Sequence, residues 1–255
     1  MASLPLALFV GAAALSRSPV AFRVLVREDG VLEWLQVAGY ATAAGAALIL
    51  ARRLAPRRRL AAAAAGLALL LVVVVGEELS WGERLLGLEV DALQAVNDQG
   101  DLTVHNIGPA LTLAQVAFFV LAGAGAACCA LPSWPRLARR LPTLAGLAPG
   151  VAHLPWFAAA AAYTAVRLVA LPAPGYEVAK LAEVAELCLA AAAASALLSA
   201  ARRAPALVAV AGQRLPDLVE GGRAGRTGRG GVDPAGEAHA DAGLEGVDAV
   251  DHEAR

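Results

Sequence analysis

From Leu60 to Gly76 the chain reads LAAAAAGLALLLVVVVG, without one polar side chain. Such a run constrains the backbone more than any other feature of the sequence. In lipid every N–H and C=O must be satisfied internally, so only helices and closed barrels span a membrane. A bilayer core of about 30 Å needs roughly 20 apolar residues in a helix. Five segments fit that length: Leu32–Ala51, Leu60–Gly76, Ile107–Ala130, Gly150–Leu171 and Ala179–Ala200. A sixth apolar segment, Leu4–Leu15, is too short to span alone and has no Lys or Arg before it. It reads as a shortened first membrane helix, with a signal-peptide core or a surface segment as the alternatives. The expected fold is therefore all-α: a polytopic transmembrane helix bundle of five strong spans plus a short N-terminal sixth.

Composition agrees. The chain is 58% hydrophobic and 17% charged, against roughly 45–50% and about 25% for soluble domains. Three cysteines, two of them the neighbours Cys128 and Cys129, make no disulfide framework. A net charge of −1 with no basic patch interleaved with aromatics excludes a nucleic-acid binder. Alanine is abundant, and all but one of the 21 basic residues are Arg. That bias resembles a coding habit. It also weakens the hydropathy signal, because Leu, Ile, Phe and Val favour insertion by roughly 0.3–0.6 kcal/mol each while Ala is near neutral.

Charge alternates between the loops. Arg52, Arg53, Arg57, Arg58 and Arg59 follow the first strong span, Arg136, Arg139 and Arg140 the third, and Arg202 and Arg203 the fifth. Between Glu77 and His105 stand seven carboxylates and one Arg. The positive-inside rule puts the arginine loops in the cytoplasm, and with them the C-terminus. The loop of Arg17, Arg23 and Arg27 falls outside against the rule, with Glu28 and Asp29 beside it as partners. Residues 1–203 are thus expected to form the bundle, with an outer motif loop at 77–106. Residues 204–255 are expected to form a cytoplasmic tail. From about 221 the tail is Gly-rich, charged and aperiodic, too poor in apolar surface to offset ordering entropy.

Ionisable groups within or beside a membrane are costly and default to functional candidates. In this topology Glu33, Glu77, Glu78, His105, Asn106, Arg167, Glu183 and Glu186 all fall near the outer interface. Glu77, Trp81 and Arg84 stand at i, i+4 and i+7, which predicts an interfacial helix carrying all three on one face. Adjacent acids at the C-terminal end of a membrane helix oppose its macrodipole and need a partner: Arg84, Arg167, a metal or protons. Glu77, Glu78 and His105 are candidate metal ligands, with a divalent cation as the candidate cofactor; salt bridges and a helix-opening hydrogen bond are the structural readings. Glu183 and Glu186 share a face and suit a divalent cation or simple snorkelling, and Lys180 stands three residues before Glu183. Arg167 calls for a carboxylate or phosphate partner. Ser80 has no His at catalytic spacing. The cysteines read as small apolar side chains, and His153, between Pro149 and Pro155, as part of a kink.

Three strings stand out: EDGVLEW at 28–34, GEELSWGERLLG at 76–87 and NDQGDLTVHN at 97–106. Together they resemble an uncharacterised family of bacterial multi-pass membrane proteins. Its members carry an ED…E element, then EE-(I/L)-SW-G-x-R-(I/L)-x-G, then N-x-Q-(G/E)-x-x-x-x-HN. The resemblance places Glu28, Asp29, Glu33, Glu77, Glu78, Ser80, Trp81, Gly82, Arg84, Gly87, Asn97, Gln99, His105 and Asn106 in the motif. It spans about a third of the chain and departs at Glu83, where the family has Gln. It implies a bacterial inner-membrane protein and no particular activity.

Three functions suit these residues. An acidic vestibule would bind or transport a cation, an amine or protons. An intramembrane enzyme would act on a lipid or lipid-linked substrate, with Glu77, Glu78 and His105 as acid, base or metal ligands and Arg167 as a phosphate contact. A structural protein would use the polar cluster only to lock a loop. The topology itself is tested by cysteines placed at Asp91 and at Gly228 in a Cys-free background. An impermeant thiol reagent is expected to label them from opposite sides of the membrane, and same-side labelling overturns the orientation.

Overall fold

The structure is a computed structural model that describes residues 3–27, 30–86, 90, 102–103, 107, 109–171 and 175–224. Among them all regular structure is helical. The chain divides into a compact unit, Met1–Gly212, and a second unit, Gln213–Arg255. The main helices of the first unit are α1 (Leu4–Leu15), α2 (Pro19–Val26), α3 (Val31–Arg53) and α4 (Arg58–Glu78). A short helix, α5 (Glu83–Leu86), precedes α6 (Pro109–Ala130), α7 (Pro135–Arg140), α8 (Pro142–Leu147) and α9 (Leu154–Val169). Next come α10 (Tyr176–Lys180) and the long α11 (Ala182–Ala224).

Four stretches are long and apolar enough to cross a membrane. They contain α3, α4, α6 and the first part of α11. The expected span at Gly150–Leu171 is a shorter helix of 16 residues. Its start is displaced by the extended Gly150 and the 3-10 turn Val151–His153. There the His153 ring nitrogen Nδ1 contacts the Gly150 carbonyl at 3.0 Å. The helix of the last span also differs from expectation: it does not stop near Ala200 but continues to Ala224. Pro205 removes one backbone donor there without ending it. The expected disorder beyond 221 falls mainly on residues 225–255, outside the described residues.

Helices α3 and α11 run parallel and in register. Gln36 Nε2 donates to the Glu183 carbonyl (2.7 Å), Tyr40 OH to the Glu186 carbonyl (3.3 Å) and Arg53 Nη1 to the Ala201 carbonyl (2.6 Å). The sequence offsets are 147, 146 and 148. An offset that holds within one residue of 147 from Gln36 to Arg53 means that the two helices stay nearly in step over about 26 Å. Small residues make this possible. Ala43, Ala44 and Ala47 of α3 share one buried cluster with Ala190, Ala192 and Ala196 of α11. Farther along, Ala51 is buried with Ala200, Ala201 and Ala204. Close backbone approach through small side chains is the usual device for helix association in lipid.

Helix α4 packs back along α3, and α9 along α6. Helix α1 lies beside α9, where Phe9 stacks on Tyr163 with ring centroids 5.7 Å apart. Phe22 and Val26 of α2 are buried with Ala12, Leu32 and Val184, which ties the N-terminal helices to α3 and α11. At the arginine-rich end, side chains cap exposed carbonyls. Arg203 Nη2 donates to the carbonyls of Leu147 (3.0 Å) and Ala148 (2.7 Å). Arg57 donates to the Thr143 hydroxyl.

Two glycines of α3 separate packing from propensity. A Cβ on Gly39 would lie 2.9 Å from the Ala190 Cβ, whereas one on Gly45 would meet nothing within 4 Å. Gly39→Ala is expected to destabilise by about 1–3 kcal/mol through overpacking. Gly45→Ala is expected to stabilise by roughly 0.5–1 kcal/mol through helix propensity. Thermal midpoints in detergent check both directions.

Candidate functional site

The acidic end of the unit is built by four helix termini. Helix α3 begins there with Glu33, α4 ends there with Glu77 and Glu78, and α11 begins there with Glu183 and Glu186. Arg167 stands in the last turn of α9. Glu33, Glu77, Glu78, Glu183, Glu186, Arg167 and Lys180 all line one cavity of about 890 Å³. Polar side chains thus gather at one level, as the charge pattern predicts.

Beyond Glu78 the chain does not continue as the interfacial helix expected from the spacing of Glu77, Trp81 and Arg84. Helix α4 stops at Glu78, and Ser80, Trp81 and Gly82 follow with φ of 47°, 53° and 83°. Only glycine accepts such angles freely; each of the other two costs about 1–3 kcal/mol. The turn swings the indole back over the helix end. Trp81 Nε1 donates to Glu77 Oε1 at 2.6 Å. A Cβ on Gly76 would lie 2.8 Å from the ring, so only glycine admits this approach. The Glu77–Trp81 pairing that a helix face implied is therefore present, made by a left-handed turn. Arg84 falls in α5, and its side chain is not described. Ser80 is 2% exposed and lines the cavity.

The other acids are positioned from below. Gln36 is fully buried, and its Nε2 donates to the Glu183 carbonyl and also to its carboxylate Oε2 at 3.2 Å. Lys180 Nζ forms an ion pair with Glu183 Oε1 at 3.3 Å. Tyr163, one turn before Arg167, donates to the Val178 carbonyl at 2.6 Å and so fixes the start of α10 against α9. Among the described residues, two buried side-chain polar atoms have no hydrogen-bond partner: Arg167 Nη1 and Gln36 Oε1. The expected partnership of Arg167 with the acids is thus not made at Nη1.

Asn97, Gln99, His105 and Asn106 lie outside the described residues, as do Glu28 and Asp29. The candidate metal set of Glu77, Glu78 and His105 includes a member, His105, outside the described residues. Among the described residues no three His, Cys, Asp or Glu side chains are grouped closely enough to hold a metal ion. The acids line the larger cavity instead. Cys129 and Cys188 are buried in the core, and all three cysteines are free, as expected for small apolar side chains.

Gln36, Tyr40 and Tyr163 were not singled out from the sequence. A signal was there: Gln36 and Tyr40 stand three and seven residues after Glu33, and Tyr163 stands four before Arg167, so each pair shares a helix face with an ionisable group.

Apart from polar side chains such as Gln115 of α6 and Thr103, the remainder of the cavity is mostly apolar. Along α4 it is lined from Glu78 back to Leu60, a depth of about 27 Å at 1.5 Å per residue. Leu54, Leu147 and Ala200 line the end remote from the acids. Leu70 and Val73 of α4 and Leu111 and Leu121 of α6 line the cavity while remaining exposed. The cavity therefore opens sideways between α4 and α6. No family model matches the chain, and no curated protein or solved structure matches it.

The Trp81 turn is tested through its hydrogen bond. Gly76→Ala is expected to displace the indole and move the Trp81 Nε1–H resonance, identified by its loss in Trp81→Phe. An unchanged resonance would show that the ring does not rest on Gly76.

Proposed function

We propose that this is a multi-pass bacterial inner-membrane protein whose acidic outer site binds, or binds and moves, a cation or small cationic ligand. In this reading five helices span: α3, α4, α6, α9 and the first part of α11, with α1 as a short sixth. The arginine-rich end is cytoplasmic, and the resemblance of the motif strings supports membership of that family.

The observation that carries the reading is the charge of the cavity. Among the described residues five carboxylates, Glu33, Glu77, Glu78, Glu183 and Glu186, line it with two cations, Arg167 and Lys180. A surplus of acid in a partly dehydrated site is met by protonation of some carboxylates or by a bound cation, and the space between the acids supports the cation. A purely structural lock would be expected to engage Arg167 fully, yet its Nη1 is buried without a partner. The apolar lining beyond the acids weighs against a hydrated path for a small ion, so recognition at the acidic end is favoured over conduction.

The test is titration of the detergent-solubilised protein with ethylammonium and with Ca²⁺. Saturable binding of at least one is expected, weakened about tenfold by Glu78→Gln, a loss of roughly 1.4 kcal/mol. Glu177→Gln serves as control, since Glu177 is exposed and does not line the cavity. Absence of saturable binding, or equal weakening by the control, overturns the reading.

A further inference from the structure

The cavity is far larger than a small cation needs, and its two ends differ in chemistry. At one end stand the five carboxylates and Arg167; the other is walled by side chains such as Leu54, Leu60 and Leu147. Ligand sites typically measure about 300–1,000 Å³ and are mostly apolar, with a few polar groups that fix orientation. This one has that character, and it is reached from the membrane, between exposed lining residues of α4 and α6. An occupant entering there is already dissolved in lipid.

The polar end specifies a headgroup. Acidic side chains from three helices surround the space, which suits an ammonium group that donates to several carboxylates. Lys180 is engaged with Glu183. Arg167 is different. It lines the same cavity, and its buried Nη1 donor lacks an acceptor. The neighbouring acids supply acceptors, yet none is placed to receive this N–H. A guanidinium presents a planar fork that matches phosphate. One headgroup satisfies both features: an ammonium joined by a short linker to a phosphate. Neither a simple amine nor an anionic lipid does so, the first for want of an acceptor and the second because it adds negative charge to the acids.

We propose that the cavity takes a membrane phospholipid with an ammonium-bearing headgroup, its ammonium among the carboxylates, its phosphate on Arg167 and one acyl chain along the apolar cleft. This rests on the cation-binding reading and names its ligand. The lipid enters between α4 and α6 with its chain already in the bilayer core, so only the headgroup is transferred. The ammonium gains carboxylate partners and the phosphate gains a charge-assisted donor.

The experiment uses the full chain in detergent, with binding followed by native mass spectrometry and by thermal stabilisation. Four probes separate the contributions: palmitoyl lysophosphatidylethanolamine, palmitoyl lysophosphatidylglycerol, hexadecylammonium and O-phosphoethanolamine. The first is expected to bind at least about tenfold more tightly than each of the others. Arg167→Gln is expected to reduce the lysophosphatidylethanolamine affinity to that of hexadecylammonium while leaving hexadecylammonium unchanged. Arg167→Lys, which keeps the charge without the fork, is expected to fall between and serves if Arg167→Gln does not fold. Ala117→Trp fills the cleft at an exposed lining position on α6. It is expected to abolish binding of both palmitoyl and hexadecyl probes and to spare ethylammonium. If ethylammonium binds but the chain adds nothing and Ala117→Trp is silent, the lipid assignment is overturned and the cation site stands. Equal binding of the ethanolamine and glycerol lipids overturns the ammonium–phosphate assignment. If no probe binds, both readings fall.

Discussion

The in-step parallel packing of α3 against α11 is the constraint on which the rest of the unit depends. Between membrane helices there is little hydrophobic drive, because lipid tails are as apolar as the side chains they would replace. Association must come from close packing and from hydrogen bonds. This seam has both: buried alanines along its length and side-chain donors from Gln36, Tyr40 and Arg53 to carbonyls of α11. The donors near its two ends fix the register, since a one-residue slip would move each by about 1.5 Å along the axis. Once α3 and α11 are aligned, Glu33, nearly one turn before Gln36, comes to the same end as Glu183 and Glu186. Helix α4, packed antiparallel along α3, then delivers Glu77 and Glu78 to the same end.

The charges along these helices show which electrostatic demand prevails. Helix α3 has Glu33 in its first turn and Arg52 and Arg53 in its last, the arrangement that its macrodipole favours. Helix α4 has the reverse, with Arg58 and Arg59 at its start and Glu77 and Glu78 at its end. Each misplaced charge costs typically 0.3–1 kcal/mol. Side sorting of arginine and acid overrides that penalty, because consecutive spans run in opposite directions and cannot all satisfy their dipoles. The cost is concentrated at Glu77 and Glu78. The structure answers it locally with a strained left-handed turn that brings the Trp81 N–H onto Glu77. Strain of this kind persists only where surrounding contacts hold it, here the indole on Gly76 and the buried Ser80.

Much of this was legible in the residues, for reasons that differ from case to case. The class was plain because an uncharged run such as Leu60–Gly76 has few backbone solutions. The level of Glu33, Glu77, Glu78, Arg167, Glu183 and Glu186 was legible because charge marks the ends of spans whatever their packing. The partner of each helix was not. An alanine-rich surface carries no directional pattern, and alanines discounted as compositional habit turn out to form the buried seam between α3 and α11. The turn after Glu78 was also hidden. Ser and Trp do not announce positive φ, and i, i+4 spacing fits a helix as well as a reversal. Gly82 was the one local cue. The last helix runs past the expected span end near Ala200, since a single proline inside a helix, here Pro205, removes one donor and need not terminate it.

The cavity follows from the same packing. Helices α3 and α4 form one pair and α6 and α9 another, while residues of α11 line the space behind both. The wall between α4 and α6 is left incomplete, and lining residues there are exposed. In water an apolar cleft of this depth would be a liability. In a bilayer it is an extension of the solvent, and filling it with an acyl chain requires no expulsion of water. In the proposed reading, selectivity resides where the medium changes, at the acidic end. There Gln36 connects the two roles: its side-chain amide fixes α3 on α11 and also holds the carboxylate of Glu183. A contact that sets the helix register therefore also sets the position of a cavity acid. Occupancy of the acidic end and stability of the α3–α11 seam are linked through it, because any ligand that binds the folded arrangement stabilises it by mass action.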